Sequence, residues 1–261
     1  MERLNEQRSG GLTSYGLRLW GLFFAAVGII GRCILQRALL GVGTLSSMEL
    51  FALMDSSDTM MIIATAALVM QVLETCAVPL FAFLLVEGFQ RTGDVKNYFV
   101  RVLAVALISE IPYNLAMSGK VLDMNSRNPA FGLVLAMLVL FFYSHFDGRS
   151  FGHIMAKIVA VLGALLWGGM LRLDPNGLCL ALVVCALWIF RKNELYRNFA
   201  GAIATVACCM VSPLFIAAPM GFLVVHFYNG KQGKDADLPR AVRCLAYPAL
   251  LLAAYAVGMM L

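Results

Sequence analysis

Apolar runs of membrane-spanning length recur along the whole chain, separated by short polar interruptions. A span needs about 20 apolar residues, within a range near 17–25. On that measure the pattern predicts nine helices, at about 16–38, 60–86, 98–117, 129–145, 153–171, 177–190, 199–211, 214–228 and 244–261. Residues 1–14 are polar, and 41–58, with Glu49, Asp55 and Asp58, reads as an external loop or surface helix. The second run is long and holds Pro79, which predicts a kink or break there. Pro112 is expected to interrupt the third. Asp174-Pro175-Asn176-Gly177 reads as a tight turn. Ser212-Pro213 reads as a short reversal, so the seventh and eighth runs are either two spans or one broken helix. No soluble-type repeat is evident. The expected architecture is an all-α transmembrane bundle, with residues 1–261 forming a single domain.

Composition agrees with the pattern. Of the 261 residues 61% are hydrophobic, mean hydropathy is +0.82, and only 13% are charged, about half the usual share for a soluble domain. The net charge of +5 is not a nucleic-acid signal, because it follows from where the basic residues lie. With the N-terminus inside, fifteen of the 20 lysines and arginines fall on inner segments and five on outer ones. Inner loops attract Lys and Arg, so the N-terminus is expected in the cytoplasm. The first apolar run lacks a small-x-small cleavage site and reads as a retained span. The seven cysteines are odd in number, mostly sit in apolar runs and show no CxxC spacing; they read as packing groups.

The candidate chemistry is a set of polar groups inside apolar runs. Glu74 and Glu110 both fall about 18 Å from the inner face. A carboxylate at that depth is expensive and therefore a functional candidate. Gln71, Glu74 and Thr75 share a helix face, and Ser109, Tyr113 and Asn114 surround Glu110 in sequence. These residues make either a mid-depth polar pocket or buried, protonated acids satisfied by neighbouring helices. A short turn joins the second and third spans, which are therefore expected to be antiparallel neighbours. That arrangement would bring the two glutamates together as a proton-sharing pair. Glu87 and Arg91 are four apart and read as a helix-end pair. His145, Asp147 and His153 straddle an inner loop and read as solvated.

The segments FAFLLVEGFQRT (residues 81–92) and ISEIPYNLA (residues 108–116), the Asp174 turn with its following span, and Tyr228-Asn229-Gly230-Lys231 in that order resemble the TraX family. That family comprises integral membrane proteins named after a pilin N-acetylase and is similar to multi-spanning acyltransferases that use acetyl-CoA. The resemblance implies transfer of an acetyl group from cytoplasmic acetyl-CoA to an amine or hydroxyl, on a small molecule or a peptide N-terminus. It implies a multi-pass protein of the cell membrane, the bacterial inner membrane. Glu74 and Glu110 are the catalytic candidates. Arg91, Lys96, Arg101 and Lys231, with Lys234, Arg240 and Arg243 beside the last, are the candidates for the phosphates of acetyl-CoA. The chain departs from the family pattern in three places. An Asp-His pair expected in the first span falls at Gly28 and Ile29, an arginine falls at Thr75, and a late histidine falls near Leu250. The alternative expectation is a non-catalytic membrane protein or small-molecule carrier with an acidic mid-membrane pocket.

The charge asymmetry makes a topological prediction. In a background stripped of native cysteines, Glu2→Cys should be labelled from the cytoplasmic side and a cysteine appended after Leu261 from the opposite side. Labelling of both ends from one side would exclude an odd number of spans.

Overall fold

A computed structural model describes residues 11–42, 52, 55, 57–146, 148, 150–233 and 240–261, the last segment with side chains from 244 onward. Glu49, Asp147 and Lys234, and the side chains of Arg240 and Arg243, lie outside the described residues. The described chain is helical, without strands. Its helices are α1 (Ser14–Leu39), α2 (Asp58–Glu74), α3 (Ala77–Arg91), α4 (Val95–Ser118), α5 (Ala130–His145), α6 (Phe151–Met170), α7 (Pro175–Ile189), α8 (Glu194–Ala207), α9 (Pro213–His226) and α10 (Arg240–Met260). With α2 and α3 taken as one broken span, each of the nine predicted spans corresponds to a helix or helix pair among the described residues. Among the described residues four are long and apolar enough to cross a membrane: α1, α2 with α3, α4 and α6. Shorter apolar stretches are α5, α7, α9 and the Cys244–Met260 part of α10.

Local chemistry fixes the helix ends. Thr13 caps α1, Asp94 caps α4 by accepting from the Asn97 N–H (3.0 Å), and Asn193 caps α8. The Asn97 N–H holds the exposed Asp94 carboxyl below the usual carboxylate range. Gly119 ends α4 in the left-handed conformation at φ 73°, which glycine adopts without a Cβ penalty. Helix α1 is α-helical to Ile29 and then π-helical through Ile30–Leu39. Two expectations change here. Helix α4 runs through Pro112 without interruption. Asp174-Pro175-Asn176-Gly177 is not a free turn: Asp174 is the N-cap of α7 and Pro175 its first helical residue, where the missing N–H costs nothing.

The main core joins α3, α5, α7 and α9 through Leu80, Phe83, Met137, Leu140, Leu187 and Phe215, all essentially inaccessible. A second cluster, with Ile29, Cys33, Tyr113 and Leu251, joins the outer half of α1 to α4 and α10. Helix α6 buries little beyond Val161 and Gly168, presenting Ile158, Leu162, Leu166 and Trp167 outward. The antiparallel neighbour expectation also fails. Helix α4 packs chiefly on α10 and α5, and α3 packs on α7 and α1. Tyr98, at the start of α4, sits so close to Gly88 on α3 that a Cβ there would meet its hydroxyl. The two helices touch there, and a seam runs beside this contact.

Helices α5 and α7 cross almost backbone to backbone at Gly132 and Gly177, where any Cβ on Gly132 would overlap the Gly177 carbonyl. Gly132→Ala should therefore overpack the crossing and cost about 1–3 kcal/mol. Thermal unfolding in detergent should show a lowered Tm, and an unchanged Tm would mean that the crossing is looser than described.

Candidate functional site

The site begins at the break between α2 and α3. Pro79 has no N–H to offer the Thr75 carbonyl four residues earlier. That carbonyl instead accepts from Val78 in a tighter turn (3.1 Å), and the helix breaks at Thr75–Cys76. Helix α9 covers the break: the Thr75 hydroxyl donates to the Leu214 carbonyl (3.4 Å) and the Cys76 thiol to the Ala217 carbonyl (3.2 Å). Glu74, the last residue of α2, is buried there against Gly28 of α1. A Cβ on Gly28 would overlap the Glu74 Oε2 and carboxyl carbon, so only hydrogen fits.

The partner of Glu74 is Arg32, from the π-helical part of α1. Arg32 Nη2 donates to Glu74 Oε1, and Arg32 Nη1 donates to Asp174 Oδ2 (2.5 Å). Tyr113 donates its hydroxyl to the same Asp174 oxygen (3.1 Å), and Asp174 Oδ1 accepts from the Asn176 N–H (3.0 Å). One guanidinium thus sits between two carboxylates contributed by α2 and the start of α7. Removing one member of such a buried set leaves an uncompensated charge, typically at about 3–5 kcal/mol. Sequence reasoning placed Arg32 among the outer flanking charges and Asp174 in a turn. The available signals were a cation inside an apolar run and a cap residue ahead of Pro.

Glu110 is somewhere else chemically. It accepts from Arg127 Nη1 (2.9 Å) and from the Asn128 N–H (3.2 Å). Asn128, fully buried and missed in the sequence, donates to the Ser109 hydroxyl (2.6 Å) and accepts from the Ala130 N–H and the Tyr247 hydroxyl. The Arg127 and Asp174 backbones pair, with Asp174 N donating to the Arg127 carbonyl (3.0 Å). The two glutamates are therefore not partners. Each has its own arginine, and Glu110 anchors the loop that holds Asp174.

The seam between the core clusters is a cavity. Its inner part, about 180 Å3, is lined by Ala25, Val78, Phe81, Leu133, Glu74 and Asn176, among others. It continues into a wider mouth of about 410 Å3, bordered by Arg18, Glu87, Arg91, Tyr98 and Arg101. The mouth lies at the end that the charge asymmetry assigns to the cytoplasm. Beyond Glu74, toward the other end, lie a small polar cavity with Gln71, Thr75 and Ser212 and a vestibule with Gln36, Arg37, Tyr113 and Ser126. Arg32 and Asp174 line both of these outer cavities, whereas Glu74 lines the inner one and the first outer one. The triad is the partition between the two sides.

Of the predicted cations, Arg91 and Arg101 border the mouth, while Lys96 and Lys231 are exposed and stand outside it. Arg91 pairs with Glu87 (2.6 Å) and donates to the Gly230 carbonyl (2.6 Å), and Tyr228 donates to Glu87 (3.0 Å). The predicted helix-end pair is thus part of a network joining α3 to the 228–230 segment. His153 pairs with Ser150 (2.5 Å). Of the three departures from the family pattern, Gly28 faces Glu74, Thr75 sits in the break, and Leu250 packs beside the Ile29 cluster.

Comparison with known proteins adds one finding. No curated protein and no solved structure matches the chain. The family model described as "TraX protein" matches residues 46–258, most of the sequence. The chain belongs to the TraX family.

Proposed function

We propose that the protein is a membrane-embedded acyltransferase of the cell membrane. It would take the acetyl group of cytoplasmic acetyl-CoA and pass it to an amine or hydroxyl that reaches the triad from the opposite side. The observation that carries this reading is the continuous cavity from a mouth bordered by Arg18, Arg91 and Arg101 to the buried carboxylate of Glu74. Cations at the mouth suit the phosphates of the donor, and the apolar inner part suits a thioester-bearing arm with water excluded. Glu74 is the only acid bordering the inner cavity among the described residues. Its Oε2, turned to Gly28, is the oxygen not engaged by Arg32. It is the group able to take a proton from the attacking acceptor. Glu110 serves by holding the loop that positions Asp174.

One observation favours a second reading. A broken helix and a π-helical segment meet at a charged partition with cavities on both sides, as in carriers built from discontinuous helices. A carrier would move a ligand across vesicles unchanged and release no thiol from acetyl-CoA.

Two sets of variants test the acyltransferase reading in the full-length protein. Glu74→Gln should abolish transfer, a loss of at least the 10²–10⁴-fold typical of general-base removal, while acetyl-CoA binding stays intact. Gly28→Ala should cut transfer in the same direction by displacing the carboxylate. Undiminished turnover in Glu74→Gln would remove it as the base. Arg91→Ala with Arg101→Ala should weaken acetyl-CoA binding about tenfold or more, most at low salt because exposed charges are screened. Binding that ignores both arginines would leave them only their role in membrane orientation.

A further inference from the structure

Among the described residues, Glu74 and Asn176 are the two that line both the inner cavity and the first outer cavity. A donor entering from the mouth and an acceptor entering from the other side would meet at these side chains and at no other pair. Asn176 is half-buried, in the first turn of α7. Among the described residues its carboxamide has no hydrogen-bond partner. It is therefore open to an acceptor atom of a ligand in the cavity.

Several donors near this point are committed. The N–H groups of Asn176 and Gly177 are taken by Asp174, through its carboxylate and its carbonyl, so the start of α7 offers no free backbone donor there. The Tyr247 hydroxyl donates to Asn128. Arg32 has two nitrogens on Glu74 and Asp174 and does not border the inner cavity. Of the two side chains common to both cavities, Asn176 is the one that carries N–H donors.

We infer that Asn176 is a catalytic residue whose carboxamide N–H stabilises the oxyanion formed when the acceptor attacks the donor thioester. The inference rests on the acyltransferase reading above. The acceptor nitrogen or oxygen forms a bond to the thioester carbon, and the carbonyl π pair moves to oxygen, where the Asn176 amide donates to it. Glu74 takes the proton from the acceptor. Collapse of the tetrahedral intermediate breaks the carbon–sulfur bond, and Glu74 returns the proton to the leaving thiolate, giving an amide or ester and free coenzyme A thiol. The apolar walls of Val78, Ala77 and Leu180 keep the local dielectric low, which strengthens a donor aimed at developing charge.

The test uses the full-length protein, acetyl-CoA as donor and hydroxylamine as a surrogate acceptor, with thiol release followed and acetyl-CoA Kd measured separately. Asn176→Ala and the isosteric Asn176→Asp should each lower kcat by about 10²–10³-fold with Kd within about twofold of the parent. Asn176→Asp keeps the shape and removes the donor, so it carries the test if the alanine variant misfolds. An unchanged kcat in a protein that still requires Glu74 overturns the assignment and leaves the acyltransferase reading standing. A loss confined to Kd also overturns it, since a ground-state contact would then be the role of Asn176. A parent protein that neither binds acetyl-CoA nor releases thiol overturns both.

Discussion

Arg32 held between Glu74 and Asp174 is the interaction on which the rest of the structure turns. Three charges at membrane depth are tolerable only if each finds a partner, and these come from α1, α2 and the cap of α7. The constraint propagates outward. Asp174 must be held, so its loop pairs with the Arg127 segment, which Glu110 grips. Glu74 must reach Arg32, so α2 stops at the break that Pro79 enforces and Gly28 has no side chain. The same triad divides the cavity system, so structural support and the placement of chemistry are one arrangement.

The spans and their order were legible in the sequence because apolar periodicity and length report directly on burial in lipid. Glu74 was legible for the same reason in reverse, as a charge where charge is costly. Its partner was not. Arg32 looked like one more flanking cation, because a sequence does not reveal that a π-helical stretch turns it inward. Asp174, Asn176 and Asn128 are short polar residues at helix starts, where capping accounts for them fully, and nothing local distinguishes a cap that also serves a site. The pairing of Glu74 with Glu110 failed on a tertiary fact. A short connection brings helix ends together, but beyond the Tyr98–Gly88 contact α4 packs on α10 and α5 rather than on α3.

The persistence of the seam has a physical explanation. In water an apolar gap between two packed groups of helices would close under the hydrophobic effect. In a bilayer that drive is missing, since lipid tails are as apolar as the helix faces, and association depends on close packing and polar contacts. Here those are concentrated at Gly132–Gly177 and in the Asn128 and Asp174 networks.

The π-helical end of α1 sets the angular relation of its polar residues. In an α-helix residues five apart stand about 140° around the axis from one another. In a π-helix, with i to i+5 hydrogen bonds, they come round to the same face, much as residues four apart do in an α-helix. Arg32 and Arg37 are five apart and border the same vestibule with Gln36 between them. Arg37 donates to the Leu115 carbonyl (2.8 Å) and lies over the Tyr255 ring at 5.2 Å. Rewinding this segment as an ordinary α-helix would swing one guanidinium toward lipid. The winding therefore acts as a phase lock: a one-residue insertion or deletion between positions 32 and 37 would uncouple the partition from the vestibule while leaving every polar residue of the site in the chain.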